Sequence, residues 1–159
     1  MKLILSTLIT ASCFMLSQCR LVSDTTDYAL FHDYYPALKW HQYKFAEAEC
    51  RGSETKLRYL IAMMLAESEF NERAVSCAGA IGLGQIMPFH VNGDPSILYD
   101  PHINIMYASK ILDRYMVQAG GDILMALKNY NAGPNRNPHK YRGWITYVYK
   151  IHVNAMEGA

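Results

Sequence analysis

LRYLIAMMLAESEFNERAVSCAGAIGLGQIMP, residues 57–88, decides how this chain is read. It opens as an apolar helix, ends in a Glu-Ser pair, and passes through a glycine-punctuated loop into a hydrophobic turn. Leu60, Met63 and Met64 precede Glu67 by seven, four and three positions, so the four side chains share one helical face. Glu69, two residues further on, lies roughly 200° around the helix and points elsewhere. One carboxylate is thus set beside large apolar groups, at a helix C-terminus.

That placement suggests a chemistry. A carboxyl group among apolar side chains loses solvation in its charged form, so its pKa rises and it can hold a proton near neutral pH. Cleavage of a glycosidic bond needs such an acid, because the departing sugar oxygen must be protonated. The plainer reading is a Glu at the rim of a buried face, reaching water or pairing with a Lys or Arg. Periodicity alone leaves both open.

The same stretch resembles the catalytic core of the soluble-lytic-transglycosylase-like family, which has the goose-type lysozyme fold. The matching residues are Glu67-Ser68, Ser76, Gly79-Ala80, Gly82-Leu83, Gln85 and Met87-Pro88. A second block follows at Asp100-Pro101 with Asn104-Ile105, and a third at Ala126-Leu127 with Tyr130-Asn131-Ala132-Gly133-Pro134. The resemblance covers about residues 57–151 and implies a lytic transglycosylase acting on peptidoglycan, with Glu67 as its catalytic residue. Ser76 and Gln85 match substrate-facing positions, where a hydroxyl and an amide bond sugar hydroxyls and acetamido groups. Met87 matches a residue that packs on a sugar, and otherwise reads as core filler. Tyr130 matches the family tyrosine near the acid, its phenol available to carboxyl or substrate. Asn131 completes the substrate-binding set, with a second reading in which it and Gly133 are turn-makers that place Tyr130. Gly84 stands where the family often has Met, which would open the groove floor slightly.

Most glycosidases need two carboxylates. Here residues 123–156 contain neither Asp nor Glu, and Gly143 stands where the family usually has a Glu. Asp94 is a loop residue, read as solvated rather than catalytic, and Asp100 is better explained as a helix cap. The resemblance implies a route with one acid. The Glu first protonates the glycosidic oxygen between N-acetylmuramic acid and N-acetylglucosamine. It then serves as base on the muramyl 6-hydroxyl, closing a 1,6-anhydro ring. Two alternatives stay open: a hydrolytic muramidase, and a peptidoglycan-binding or assembly protein without turnover.

The chain has 159 residues, 51% hydrophobic and 18% charged, with a formal net charge of +1. Such a chain holds one sizeable core, and nucleic acid is excluded as a bulk electrostatic partner. Met1-Lys2 precedes the apolar run LILSTLITASCFML and Ser17-Gln18-Cys19, the layout of a secretory signal. Leu16 to Cys19 also looks like a lipoprotein cleavage box, with Gln18 a poor fit before the cysteine. The reading is therefore residues 1–19 as export signal, 20–34 as linker and 35–159 as one lysozyme-like domain. It would be periplasmic or outer-membrane-associated, touching membrane only through a signal or lipid anchor. Cys50 and Cys77 remain after export and could pair, or could be two small core residues. Six histidines and the cysteines show no metal-ligand spacing, and no cofactor is expected.

The expected fold class is all-α, with at most a minor hairpin. Pro36 opens a helix to about Glu49 that turns Leu38, His41, Gln42 and Phe45 inward, and Gly52 stops it. Ser53 caps the helix carrying Glu67. Residues 71–100 form loop, with one short helical turn between Ile81 and Met87. Asp100-Pro101 starts a helix to about Ala119, with a stripe of Ile105, Ala108, Leu112, Tyr115 and Met116. Asp122 caps another, running to about Tyr130, and residues 131–138 turn. A last helix spans about Trp144 to Ala155, with Trp144, Tyr147, Val148 and Ile151 inward. Lys128, Arg136, Lys140, Arg142 and Lys150 read either as a solvated basic face or as a wall attracting peptidoglycan carboxylates. The small size suggests a specialised role, opening the wall for a secretion, conjugation or phage apparatus.

Overall fold

The computed structural model describes residues 27–133, Tyr147 and residues 150–155. The chain divides into two compact units, Met1–Pro36 and Ala37–Ala159. In the first, residues 27–34 form helix α1, where a linker was expected. Its aromatic residues recur four apart, so rings stack along one face: Tyr28 on His32 at 5.3 Å and Phe31 on Tyr35 at 6.4 Å. The signal and lipoprotein readings lie outside the described residues.

The second unit is built from α2 (Trp40–Cys50), α3 (Glu54–Ser68), α4 (Pro101–Gln118), α5 (Ile123–Ala132) and α6, described at Tyr147 and residues 150–155. Two 3-10 turns, Pro88–His90 and Pro95–Tyr99, interrupt the long α3–α4 connection. The fold is all-α and lysozyme-like. The minor hairpin is reduced to isolated bridges that pair Ile81 with Val75 and with Ile86.

Helix α2 begins at Trp40 rather than Pro36, because Lys39 is extended and its N–H is taken by the Gln42 side chain at 3.1 Å. The inward face is Gln42, Tyr43, Ala46 and Cys50, with His41 and Phe45 only half-buried. Helix α3 begins where expected, with Ser53 Oγ accepting the Lys56 N–H at 3.3 Å. Its sequence lacks a β-branched run, and Leu60, Ile61, Met63 and Met64 are fully buried. Each such side chain contributes about 1.5–3 kcal/mol of burial. Helix α4 is capped by Asp100, which accepts the Ile103 N–H at 3.0 Å, and buries Ile105, Ala108, Leu112 and Tyr115 as its stripe predicts. Asp122 likewise accepts the Leu124 and Met125 N–H groups at 2.9 and 3.1 Å.

Helix α4 is the centre of the unit, packing on α2 and α5, while α2 also packs on α3. Helix α6 joins through buried Ile151 and Ala155 and through a 2.7 Å hydrogen bond between Tyr59 Oη of α3 and His152 Nδ1. Cys50 is buried and Cys77 exposed, and both are free thiols, so no disulfide ties α2 to the loop. Among the described residues no helix is long and apolar enough to cross a membrane.

Candidate active site

Glu67 lies on the last turn of α3, and the chain ends that helix abruptly. Glu69 and Phe70 both take left-handed backbone, at φ 53° and 62°. For residues with side chains this costs about 1–3 kcal/mol each, and it persists only where the surroundings impose it. Ser68 imposes part of it: its hydroxyl hydrogen is shared between the carbonyls of Met64 in its own helix, at 3.1 Å, and Leu83 in the following loop, at 2.9 Å. The Glu-Ser pair therefore joins a carboxylate to the clasp that draws the glycine-rich loop onto the helix end.

A second clasp comes from α4. Asn104 is 1% exposed, and its amide meets the loop three times at 2.8 Å. Oδ1 accepts the Gly84 N–H, and Nδ2 donates to the carbonyls of Ile81 and Leu98. The glycines follow from this closeness. A Cβ on Gly82 would sit 2.2 Å from Asn104 Nδ2, and Gly82 also has φ +75°. A Cβ on Gly84 would sit 2.7 Å from the Ala108 Cβ and 3.0 Å from the Tyr130 hydroxyl. Gly84 thus opens no groove floor, because Ala108 and Tyr130 occupy the space that a side chain would need. Between Ile81 and Ile86 the backbone makes a tight bridged turn rather than the helical turn expected.

Glu67 receives a hydrogen bond from the Tyr147 hydroxyl of α6. Burial pushes its carboxyl up to about 7, opposed by the Tyr147 hydrogen bond, which favours the charged form. A carboxyl balanced there can both give and take a proton near neutrality.

The other expected site residues have partners of their own. Tyr130 donates its hydroxyl to the Gly84 carbonyl at 2.7 Å, so its proton does not hold Glu67. Burial first, then the neighbouring Glu67 and Tyr115, hold that phenol well above its ordinary range. Gln85, at φ 48°, spends its Nε2 on the carbonyls of Gly82 at 2.9 Å and Ala74 at 3.3 Å, which turns its amide into a brace for the loop. The Ser76 hydroxyl oxygen accepts the Ala80 N–H at 3.0 Å and keeps its own hydrogen to donate. Met87 is half-buried where the loop enters the first 3-10 turn. Asn131 is helical rather than a turn residue, since α5 continues to Ala132 and Gly133 ends it. Its Oδ1 is buried with no hydrogen-bond partner among the described residues.

Asp94 caps the second 3-10 turn, accepting the Ser96 N–H at 2.9 Å and hydroxyl at 2.7 Å. Those bonds, the backbone one foremost, hold its carboxyl below the usual range, as befits an exposed cap. Of the basic residues, Lys128 is 7% exposed, so it is no part of a solvated face. Lys150 is exposed, whereas Arg136, Lys140, Arg142 and Gly143 lie outside the described residues.

Sequence reasoning placed Tyr147 inward without connecting it to Glu67, because a contact eighty positions apart leaves no local pattern. Asn104 was visible only as one residue of a matching block.

Comparison with known proteins bears on this geometry. Residues 44–149 match the transglycosylase SLT domain. The chain belongs to that family. The soluble lytic murein transglycosylase of Escherichia coli K12 is 34% identical over 105 residues, covering 59% of this chain and 16% of that protein. The Salmonella typhimurium protein of the same description is 33% identical over 106 residues, again 16% of its length. The SLT-family chain thus spans about one sixth of these relatives. Among solved structures, an inactive Glu-to-Gln mutant of the lytic transglycosylase Slt from Pseudomonas aeruginosa shares the fold, with TM-score 0.63 and 21% identity. That match covers 72% of this chain and 23% of the other. The 70 kDa soluble lytic transglycosylase of Escherichia coli gives TM-score 0.53 at 26% identity, covering 72% and 20%.

Proposed function

We propose that the domain is a peptidoglycan lytic transglycosylase in which Glu67 is first general acid, then general base. The observation that carries this reading is a carboxyl raised to about 7 by burial at a braced helix end, with the Tyr147 hydroxyl on one oxygen. Family membership and the murein-acting relatives support the substrate class.

In the first step the protonated Glu67 gives its hydrogen to the β-1,4 glycosidic oxygen between N-acetylmuramic acid and N-acetylglucosamine. The C1–O bond breaks, and the substrate's own acetamido group steadies the cationic C1. The carboxylate left behind removes the hydrogen of the muramyl 6-hydroxyl as its oxygen bonds to C1. Glu67 ends protonated as it began, no water is consumed, and no second carboxylate is required. Around it Ser76 offers a hydroxyl hydrogen, Gln85 its amide oxygen and Met87 an apolar surface to sugar units. Asn131 adds an acceptor that no donor among the described residues satisfies. The apolar run after Met1-Lys2, read as an export signal, supports action outside the cytoplasm, periplasmic or at the outer membrane. A wall-spanning secretion, conjugation or phage apparatus is the setting we favour.

Mass spectrometry of purified peptidoglycan digested by the protein tests this, with Glu67→Gln alongside. Anhydro-muropeptides that vanish in the variant are expected. Products heavier by one water would make it a muramidase, and binding without soluble product would remove the enzyme claim.

A further inference from the structure

The left-handed turn after Glu67 is gripped from outside the site, by a side chain that the chemistry above does not use. Gln42 of α2 is fully buried, and each polar atom of its amide is engaged. Nε2 donates to the Phe70 carbonyl at 3.2 Å and to Glu72 Oε1 at 2.8 Å. Oε1 accepts the Lys39 N–H at 3.1 Å. Glu72 Oε1 is itself a meeting point, taking Lys39 Nζ at 3.1 Å and His41 Nε2 at 2.8 Å. One amide therefore joins the start of α2 to the turn that ends α3 and to the residue just beyond it.

The turn needs that grip. Phe70 is 3% exposed and left-handed directly after left-handed Glu69, a pair that relaxes unless its carbonyls are held. The chain between the grip and the acid is short and stiff. Asn71 N–H bonds the Ser68 carbonyl at 3.0 Å and Glu69 N–H bonds the Leu65 carbonyl at 3.0 Å. Movement of Phe70 is consequently passed to the helical turn bearing Glu67.

We propose that Gln42, clamped by Glu72, is a positioning residue for Glu67: it locks the Glu69–Phe70 turn and thereby the direction in which the acid leaves α3. The proposal rests on Glu67 being the acid and base. With the grip lost, the end of α3 frays, water reaches the carboxyl, and its charged form gains. The groups that face Glu67 from other elements are Tyr147 on α6 and Tyr130 on α5, and those around Glu72 are Lys39 and His41.

The test uses the full chain, comparing Gln42→Met, Glu72→Gln, Glu72→Ala and Glu67→Gln on purified peptidoglycan across the neutral pH range. Methionine keeps the volume of Gln42 and removes its donors. Gln42→Met is expected to lower kcat on the order of ten-fold at little change in apparent KM, as misplacement of a reacting group does. Its alkaline limb should also move to lower pH. Glu72→Gln, which still offers an amide oxygen to Gln42, should retain kcat and the limb, whereas Glu72→Ala should lower kcat and shift the limb in the same sense. A Gln42→Met enzyme that melts earlier but keeps kcat and its pH limb would overturn the proposal. If that variant does not fold, unchanged kcat and limb in Glu72→Ala would overturn it equally. Turnover by Glu67→Gln would instead remove the acid assignment, whatever Gln42 does.

Discussion

The Tyr147 hydroxyl donates a hydrogen bond to Oε1 of Glu67, joining the last helix to the end of α3. It is the one hydrogen bond among the described residues that directly opposes the effect of burial on this carboxyl. Tyr147→Phe removes it at nearly constant volume. Because the bond favours the charged form, the pKa of Glu67 should rise further above about 7. The alkaline limb of the rate profile should move up by about one pH unit, the equivalent of roughly 1.4 kcal/mol of lost hydrogen bonding. At neutral pH a larger share of the enzyme should carry the proton that the first step gives away, so the loss of rate on the alkaline side should set in later. A limb that stays in place would show that Tyr147 does not tune the acid.

Glu67 also makes stability depend on pH. Its folded pKa, about 7, lies above the ordinary 4.5, so the folded state binds the proton more tightly than the unfolded chain. The resulting stabilisation is complete below the unfolded value and is lost as pH rises through about 7. The loss amounts to at most about 3–4 kcal/mol, at 1.36 kcal/mol per unit. Urea unfolding of the wild type and Glu67→Gln over this range should show the variant gaining relative stability as pH rises.

Asn104→Asp keeps an acceptor for the Gly84 N–H but loses both donations, and sets a carboxylate oxygen against the carbonyls of Ile81 and Leu98. Leaving buried groups unpaired in this way should cost about 2–5 kcal/mol. Thermal unfolding gives the loss, and Asn104→Ser should be milder, as a neutral side chain adds no repulsion.

Gly84→Ala tests the crowding between the loop, Ala108 and Tyr130. The new methyl at 2.7 and 3.0 Å from its neighbours should force the Tyr130 hydroxyl from the Gly84 carbonyl. Overpacking of this kind costs about 1–3 kcal/mol. The double variant with Tyr130→Phe should be less than additive in denaturant melts, since both changes break one bond.

The two thiols should differ under a mild alkylating agent. Cys77 is exposed and should be modified quickly, while Cys50, whose thiol burial pushes up to about 12, should react only on unfolding.

The readable parts of the molecule were those with local causes. Ser53, Asp100 and Asp122 cap helices through bonds to residues two or three places on, and a spacing of three and four marked Leu60, Met63 and Met64 as core. The start of α2 was misplaced because Pro36 is a strong helix opener, and the rival cap at Lys39 depends on the Gln42 amide. In the site, periodicity set Glu67 beside apolar side chains but left its role open, and the family resemblance is what singled it out. The duties of Gln85 and Tyr130 were not legible, because residue type tells what a side chain can bond but not which carbonyl reaches it first. Lys128 was misread for a related cause: a long side chain lies buried against its helix, its ammonium meeting Asn129 at 3.3 Å.

Asn104 ties Ile81 and Gly84 on one side and Leu98 on the other to a single amide, so the chain between leaves α4 and returns to nearly the same point. Its tip, residues 92–94 with Gly93, is exposed. A longer tip would cost little, because closure entropy grows only with the logarithm of length. Extra residues grafted there would reach away from a foot that stays put, leaving Glu67 and its braces undisturbed. The fold thus carries a socket in which the loop can be lengthened or exchanged without disturbing the end of α3.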